Sequence, residues 1–322
     1  EGICETGAMA SFMAAGSAYA VHGLPMIPFY IFYSMFGFQR VGDMIWSCGD
    51  MMCRGFLLGG TAGRTTLNGE GLQHEDGHSQ ILASTVPNLK SYDPYCGYEL
   101  TVIVRDGLYR MYELQEDHFY YLTLYNEAFV MPDLATVAAR TDQDEDSLCE
   151  GILQGIYRFD AWTSERSIGQ VNLLASGPIV RQAQAAADFL ILHAIDVTLW
   201  SVTSFTELER DAQRCAQTNR ENPFTQATSP YIAQALSETD GVYVAVTDYM
   251  KKIAVGLAPW IPGSYEVLGT DGYGLSESRE KLREYFEIDA KAICKTALAS
   301  LYRDEQIDGQ VLQNILNDLD VI

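Results

Sequence analysis

The sequence predicts an α/β protein built as two consecutive α/β domains with mainly parallel sheets. Three observations carry this reading. The chain has 322 residues, enough for two domains that each bury a core. Short apolar runs alternate with helix-length segments in the order strand–helix–strand, the pattern of a parallel sheet covered on both faces. Between two such units lies Pro132–Glu150, which carries Asp133, Asp142, Asp144, Glu145, Asp146 and Glu150 and little apolar pattern. It reads as an acidic connector. The expected division is residues 1–134, a connector at 135–150, and residues 151–322.

Each element follows from its own residues. Thr6–His22 is rich in small residues (Ala8, Ala10, Ser11, Ala14, Ala15, Gly16, Ala18), which suits a helix packed closely against other backbone. Met26–Phe32 reads as a buried strand, Gln39–Arg54 as a helix and Phe56–Leu58 as a short strand ending in Gly59-Gly60. A segment with seven glycines in 23 residues follows, Gly55–Gly77. Then come a helix near His78–Ser84, a strand at Leu89–Tyr92, a helix at Tyr95–Met111 and a strand at Phe119–Leu124. In the second unit, strands are expected at Val171–Ala175, Val197–Val202, Gly241–Val246 and Tyr265–Leu268. Helices are expected at Val180–Leu192, Thr206–Asn219, Tyr231–Ser237, Tyr249–Leu257, Ser276–Tyr285, Ala290–Tyr302 and Asp308–Asn317. Ser201, Ser204 and Thr206 sit at a strand-to-helix junction that needs a cap.

Composition narrows the function. The chain has 21 Lys+Arg against 43 Asp+Glu, a net charge of −22. That balance argues against nucleic acid or an anionic membrane as partner, because phosphates need a basic footprint. The longest apolar run, near residues 24–33, is too short and too interrupted by proline for a span of about 20 residues. The chain starts at Glu1 rather than Met and shows no basic-then-apolar opening of a signal peptide. It reads as a piece of a longer polypeptide. The cysteines at 4, 48, 53, 96, 149, 215 and 294 are scattered, which points to reduced thiols rather than a disulfide frame or a zinc site.

Three segments hold groups with chemical potential. The Gly-rich segment lacks both the Walker pattern and G-x-G-x-x-G. It places Arg64, Glu70, His74, Glu75, Asp76 and His78 on a backbone free to take positive φ. A histidine beside a carboxylate can work as an acid/base pair. By spacing alone, His74 and His78, four apart, could also be metal ligands on one helix face, and the whole cluster can be a structural polar loop. Pro28–Arg40 is rich in aromatics, which suits either core or a flat slot for an aromatic ligand. Glu1 and Glu5 precede a small-residue helix, an ordinary place for a carboxylate.

The strings EGICETGAMASF, IPFYIFYSMFGFQRVGD, RGFLLGGTAGRTTLNGEGLQHEDGHS and LGTDGYGLSESRE resemble the homodimeric, single-chain type of pyruvate dehydrogenase decarboxylase component. This acetyl-transferring enzyme belongs to the transketolase-like thiamine diphosphate enzymes. The resemblance runs from Glu1 to about Asn317, and Gly55–Ser79 is its most specific part. It implies a thiamine diphosphate cofactor with Mg²⁺ and subunits of three domains. This chain resembles most of the pyrimidine-binding domain followed by the transketolase C-terminal-like domain. The diphosphate-binding domain, with the expected Mg²⁺ ligands, would lie upstream, so no metal ligand is assigned here.

The resemblance also implies roles. Glu5 matches the glutamate that contacts the pyrimidine ring nitrogen, where a desolvated carboxylate is expected. Phe36 matches the aromatic stacked on the pyrimidine, and Tyr33 a neighbour in the same pocket. Phe29, Tyr30 and Phe38 are left to the core. His74 matches the active-site histidine, with His78 as the competing alignment, and Glu70 belongs to the same network. Asp271–Arg279 matches a family signature without an evident chemical role; Ser276 is expected to cap the helix that follows.

The implied parent enzyme decarboxylates pyruvate and reductively acetylates the lipoyl group of dihydrolipoyl acetyltransferase. It would be a homodimer in the bacterial cytoplasm, or in an organelle matrix. This chain alone is expected to be inactive. Two other readings are a transketolase-type enzyme acting on phosphorylated ketoses, and a half-subunit that needs a separate diphosphate-binding chain.

Overall fold

The structure, a computed structural model, describes residues 3–319. The first sheet holds β1 (Phe29–Tyr33), β2 (Phe56–Gly60), β3 (Leu89–Tyr92) and β4 (Phe119–Thr123) in the order β1-β2-β4-β3. All pairings are parallel. The flanking helices are α1 (Glu5–His22), α2 (Ser34–Asp50), α3 (Ser79–Ser84) and α4 (Gly97–Leu108). Every residue of β4 is buried, as expected for a strand covered on both faces.

The small residues of α1 serve a close backbone contact. A Cβ on Gly16 would stand 2.7 Å from the carbonyl oxygen of Arg54. The Arg54 amide donates to the Gly16 carbonyl at 3.1 Å. The Arg54 guanidinium lies 3.7 Å from the Tyr19 ring centroid. Helix α1 ends at Gly23 with φ +66°, the left-handed cap that glycine takes without strain.

The expected connector is folded. Residues 134–154 form α5 (Leu134–Thr141) and α6 (Glu145–Gln154). They bury Val137, Leu148 and Ile152 against the main core. The second sheet follows, with β5 (Ile156–Trp162), β6 (Gly169–Ala175), β7 (Ile195–Val202), β8 (Val242–Val246) and β9 (Tyr265–Leu268) in the order β5-β7-β6-β8-β9. Strand β5, absent from the sequence reading, is an antiparallel edge on β7. The remaining pairings are parallel. Around this sheet lie α7 (Val180–Leu192), α8 (Phe205–Glu221), α9 (Tyr231–Ala235), α10 (Lys252–Val255), α11 (Arg279–Tyr285), α12 (Ala290–Arg303) and α13 (Gly309–Leu319).

Two local expectations shift. The Ser204 hydroxyl caps α8 by accepting from the Glu207 amide at 3.0 Å. Helix α11 is capped by Ser278, whose hydroxyl accepts from the Lys281 amide at 3.4 Å, and not by Ser276. The helix expected from Tyr249 is only the short α10, because the Thr270 amide donates to the Tyr249 carbonyl and ties that residue to the end of β9.

The two sheets are sewn together near the C-terminal ends of their strands. The Asp93 amide donates to the Thr203 carbonyl at 2.7 Å, and the Ser204 hydroxyl donates to the Ser91 carbonyl at 2.6 Å. Glu99, fully buried, accepts from the Tyr157 and Ser201 hydroxyls at 2.5 and 2.8 Å and from the amides of Tyr95 and Cys96. A carboxylate so deep is tolerated because every neighbour donates to it. One hydrophobic core joins residues of both sheets, including Phe56, Tyr120, Phe159 and Val244.

Candidate active site

The Gly-rich segment leaves β2 and crosses to α3 over the C-terminal edge of the first sheet. It meets the start of α2, which follows β1 directly. Three rings converge there. The His74 ring centroid lies 5.1 Å from Phe36 and 5.5 Å from Tyr33, and Phe36 and Tyr33 are 6.2 Å apart. The His74 Nδ1 is buried without a hydrogen-bond partner, 3.8 Å from a carboxylate oxygen of half-exposed Glu70. His78 does not share a helix with His74: the 3-10 turn ends at His74, Glu75 is extended, and His78 precedes α3, with its Nε2 2.8 Å from the Gln39 amide nitrogen. His74 therefore meets the aromatic wall, and His78 meets α2 beside it.

Glu5 reaches this group through Arg40. The Arg40 guanidinium donates to the Glu5 carboxylate and lies 4.4 Å from the Phe36 ring centroid. Phe36 and Arg40 are four apart on α2, which puts them on one helix face. The Glu5 carboxyl is held below the usual carboxylate range, first by its own backbone amide at the start of α1 and then by Arg40. The Glu5 side chain is 23% exposed and ion-paired with Arg40. Glu1 lies outside the described residues.

Of the aromatics left to the core, Phe38 is buried, while Phe29 stacks on Phe56 at 4.8 Å and remains half-exposed. The Tyr30 hydroxyl donates to the Glu5 carbonyl at 3.4 Å. Gln39 and Arg40 were not singled out by sequence reasoning. Their helical spacing from Phe36 was the available signal.

A second polar cluster lies beneath the loop. Asp248 is fully buried and accepts from the amides of Thr65 and Thr66 at 2.9 and 3.1 Å and from their hydroxyls at 2.7 and 2.6 Å. Asp93 accepts from the Thr123 and Tyr125 hydroxyls. Burial pushes its carboxyl up to about 6, despite those donors. These groups belong to both halves of the chain and carried no local sequence signal.

The donor set suits an aromatic, nitrogen-containing ring. It offers a flat wall (Phe36, Tyr33), a carboxylate (Glu5) and an imidazole nitrogen with no partner (His74). Among the described residues, no group of three or more His, Cys, Asp or Glu is placed to hold a metal ion. No helix among them is long and apolar enough to cross a membrane.

Residues 1–132 match the family model for the pyruvate dehydrogenase E1 component middle domain, and residues 155–289 match the transketolase-like C-terminal domain. The chain is 49% identical over 319 residues to the pyruvate dehydrogenase E1 component of Escherichia coli K12, covering 98% of this chain and 34% of that protein. It is 46% identical over 313 residues to the pyruvate dehydrogenase E1 component of Mycobacterium tuberculosis, covering 97% and 33%. It thus spans about a third of the length of the curated relatives it matches. Among solved structures, a transketolase from Campylobacter jejuni superposes with a TM-score of 0.60 at 16% identity, over 89% of this chain and 38% of that one. A split-gene transketolase chain superposes with a TM-score of 0.54 at 13% identity, over 98% and 83%. At such identities these structures speak for the fold alone. The relatives at 46 to 49% identity and the two domain matches say more: the chain belongs to the pyruvate dehydrogenase E1 component family, as its middle domain and its transketolase-like C-terminal domain.

Proposed function

We propose that this chain forms the pyrimidine-binding and C-terminal part of a thiamine diphosphate-dependent pyruvate dehydrogenase. The enzyme decarboxylates pyruvate and passes the acetyl group to the lipoyl group of dihydrolipoyl acetyltransferase. The observation that supports it best is the convergence of Glu5, Phe36, Tyr33 and His74 at one strand edge, in a chain 49% identical to a pyruvate dehydrogenase E1 component.

The bound cofactor would supply a carbon nucleophile and an electron sink. The residues of this chain do the rest. Glu5 holds a proton at the pyrimidine ring nitrogen. Arg40 fixes its rotamer and keeps the free carboxylate ionised, ready to accept. Phe36 and Tyr33 present a flat apolar wall and exclude water from one side. His74, with its unpartnered Nδ1, donates to or accepts from the reacting oxygen, and Glu70 orients it.

The diphosphate and Mg²⁺ are assigned to the part of the polypeptide outside these 322 residues. The chain alone is therefore read as inactive. The working enzyme is read as a homodimer in a bacterial cytoplasm. The transketolase reading has only the fold in its favour, and turnover of pyruvate against xylulose phosphate separates the two.

The test is Glu5→Gln in the full-length enzyme. Steady-state assay should show pyruvate turnover reduced by about a hundredfold to ten-thousandfold, with the melting temperature unchanged. Wild-type turnover in that variant would remove Glu5 from the mechanism.

A further inference from the structure

We propose that residues 270–279 are a positioning strap for the loop that carries His74, and that Glu75 transmits the strap's position to His74. This rests on the role of His74 given above, and it assigns a task to the Asp271–Arg279 signature, which that reading left unused.

The strap grips the loop on both sides of the site residues. Upstream, Arg279 donates through Nε and Nη2 to the Thr66 carbonyl at 3.0 and 2.8 Å, and its amide donates to the Asn68 side-chain oxygen at 2.9 Å. The Gly69 amide donates to the Glu277 carbonyl at 3.3 Å. Downstream, the Leu275 amide donates to Glu75 Oε2 at 2.7 Å. Beneath both, Arg64 donates to the carbonyls of Thr270 and Gly272 at 2.5 Å each. Glu70 and His74 lie between these anchors.

The local geometry explains how the grip reaches the imidazole. Within the loop, Leu72–His74 form one 3-10 turn, followed by Glu75 with extended backbone (φ −82°, ψ 97°). Glu75 turns inward and is fully buried, while His74 faces Phe36 and Tyr33. Fixing the Glu75 carboxyl therefore fixes the backbone that aims the His74 ring.

The strap approaches so closely that a Cβ on Gly274 would lie 2.7 Å from Glu75 Cβ. Only glycine leaves that contact open. Glu75 Oε1 has no hydrogen-bond partner, so the burial of this carboxyl is a cost that stability alone does not repay. Burial, reinforced by Asp248 and opposed by the Leu275 amide and Arg64, pushes the carboxyl up to about 7. A glutamine is thus a close mimic of its protonated form.

The experiment uses the full-length enzyme with Glu75→Ala, Glu75→Gln and Arg279→Ala, each also combined with His74→Ala. Two readouts are taken, kcat with thiamine diphosphate affinity, and amide hydrogen exchange across residues 68–76. Glu75→Ala should lower kcat by about tenfold to a hundredfold, the scale of a misplacement near 1 Å, with cofactor affinity unchanged. Glu75→Gln, which keeps an acceptor for Leu275, should restore it. In the His74→Ala background, Glu75→Ala should add no further loss, because it acts through that residue. Both alanine variants should speed exchange at 68–76 and leave exchange in the two sheets unchanged. Independent, multiplying losses from His74→Ala and Glu75→Ala would overturn the proposal, and so would unchanged exchange at 68–76. If Glu75→Ala fails to fold, Arg279→Ala decides by the same two readouts. If the wild-type enzyme does not turn over pyruvate, the functional reading fails while the exchange arm still decides the strap.

Discussion

Asp93 shows how single residues here were chosen against simple stability. Its carboxyl is 5% exposed, and one of its oxygens has no partner. Burial, with Asp248 nearby, raises it from the ordinary 3.8 to about 6, although the Thr123 and Tyr125 hydroxyls donate to it. Between those two values the folded state binds more protons than the unfolded state. Its contribution to stability is therefore fully present below about pH 4 and is lost as pH rises through 6. Asp93→Asn should remove that slope: relative to wild type it gains about 1.4 kcal/mol between pH 5 and pH 7.5, out of about 3 kcal/mol over the whole titration. Urea denaturation at the two pH values reads this directly, and equal differences at both would contradict it. Glu5 behaves in the opposite sense, since its own backbone amide and Arg40 favour the charged form. Residue type and the family resemblance made Glu5, Tyr33, Phe36, Glu70 and His74 visible in the sequence. Arg40 was visible only through its helical spacing from Phe36. The unpartnered oxygens of Asp93 and Glu75 were not visible, because burial is a property of the folded chain.

At the scale of elements, the acidic stretch between the two matched domains is itself helical. Asp133 and Asp144 belong to the acidic stretch whose composition predicts a connector. Both are helix caps: their side chains accept from the amides of Thr136 and Ser147 at 2.7 Å each. Capping uses the same short polar residues that loops favour, so composition does not separate the two. Strand β5 was missed because its pairing register shifts between Arg158 and Asp160, which breaks the alternation that announces an edge strand. The buried strands β4 and β8 were legible because every position is apolar or aromatic apart from Thr123. Ser204 is the cap with the most at stake. It accepts from the Glu207 amide and donates to Ser91 in the other half of the chain. Ser204→Ala should cost about 1–2 kcal/mol, seen as a lower urea midpoint at constant slope. An unshifted midpoint would mean that water replaces both bonds.

For the whole molecule, the two sheets are joined by one hydrophobic core and by buried polar groups that cross between them. Asp248, in the loop after β8, binds two amides and two hydroxyls of the Gly-rich segment. Asp248→Ala leaves those donors buried and unpaired, at a cost of several kcal/mol, about 3–5 by analogy with broken buried ion pairs. Calorimetry should show the wild-type transition lowered and split into two, one for each sheet. A single unshifted transition would show that the apolar core alone couples the halves. The net charge of −22 adds self-repulsion that salt should relieve, and it leaves the fold undetermined.

What the sequence determined by itself is local or inherited. Strand and helix order follows from apolar runs and their spacing, which act over a few residues. The family membership follows from strings such as RGFLLGGTAGRTTLNGEGLQHEDGHS, and the candidate site residues are proposed from that resemblance. Tertiary structure alone decided which distant groups meet. Asp248 binds Thr65 across 183 positions, and Leu275 binds Glu75 across 200. It also decided which carboxyls lose their water and where the histidine points. The reason is physical: propensity and capping are short-range, whereas desolvation and cross-chain hydrogen bonds exist only after remote segments have packed.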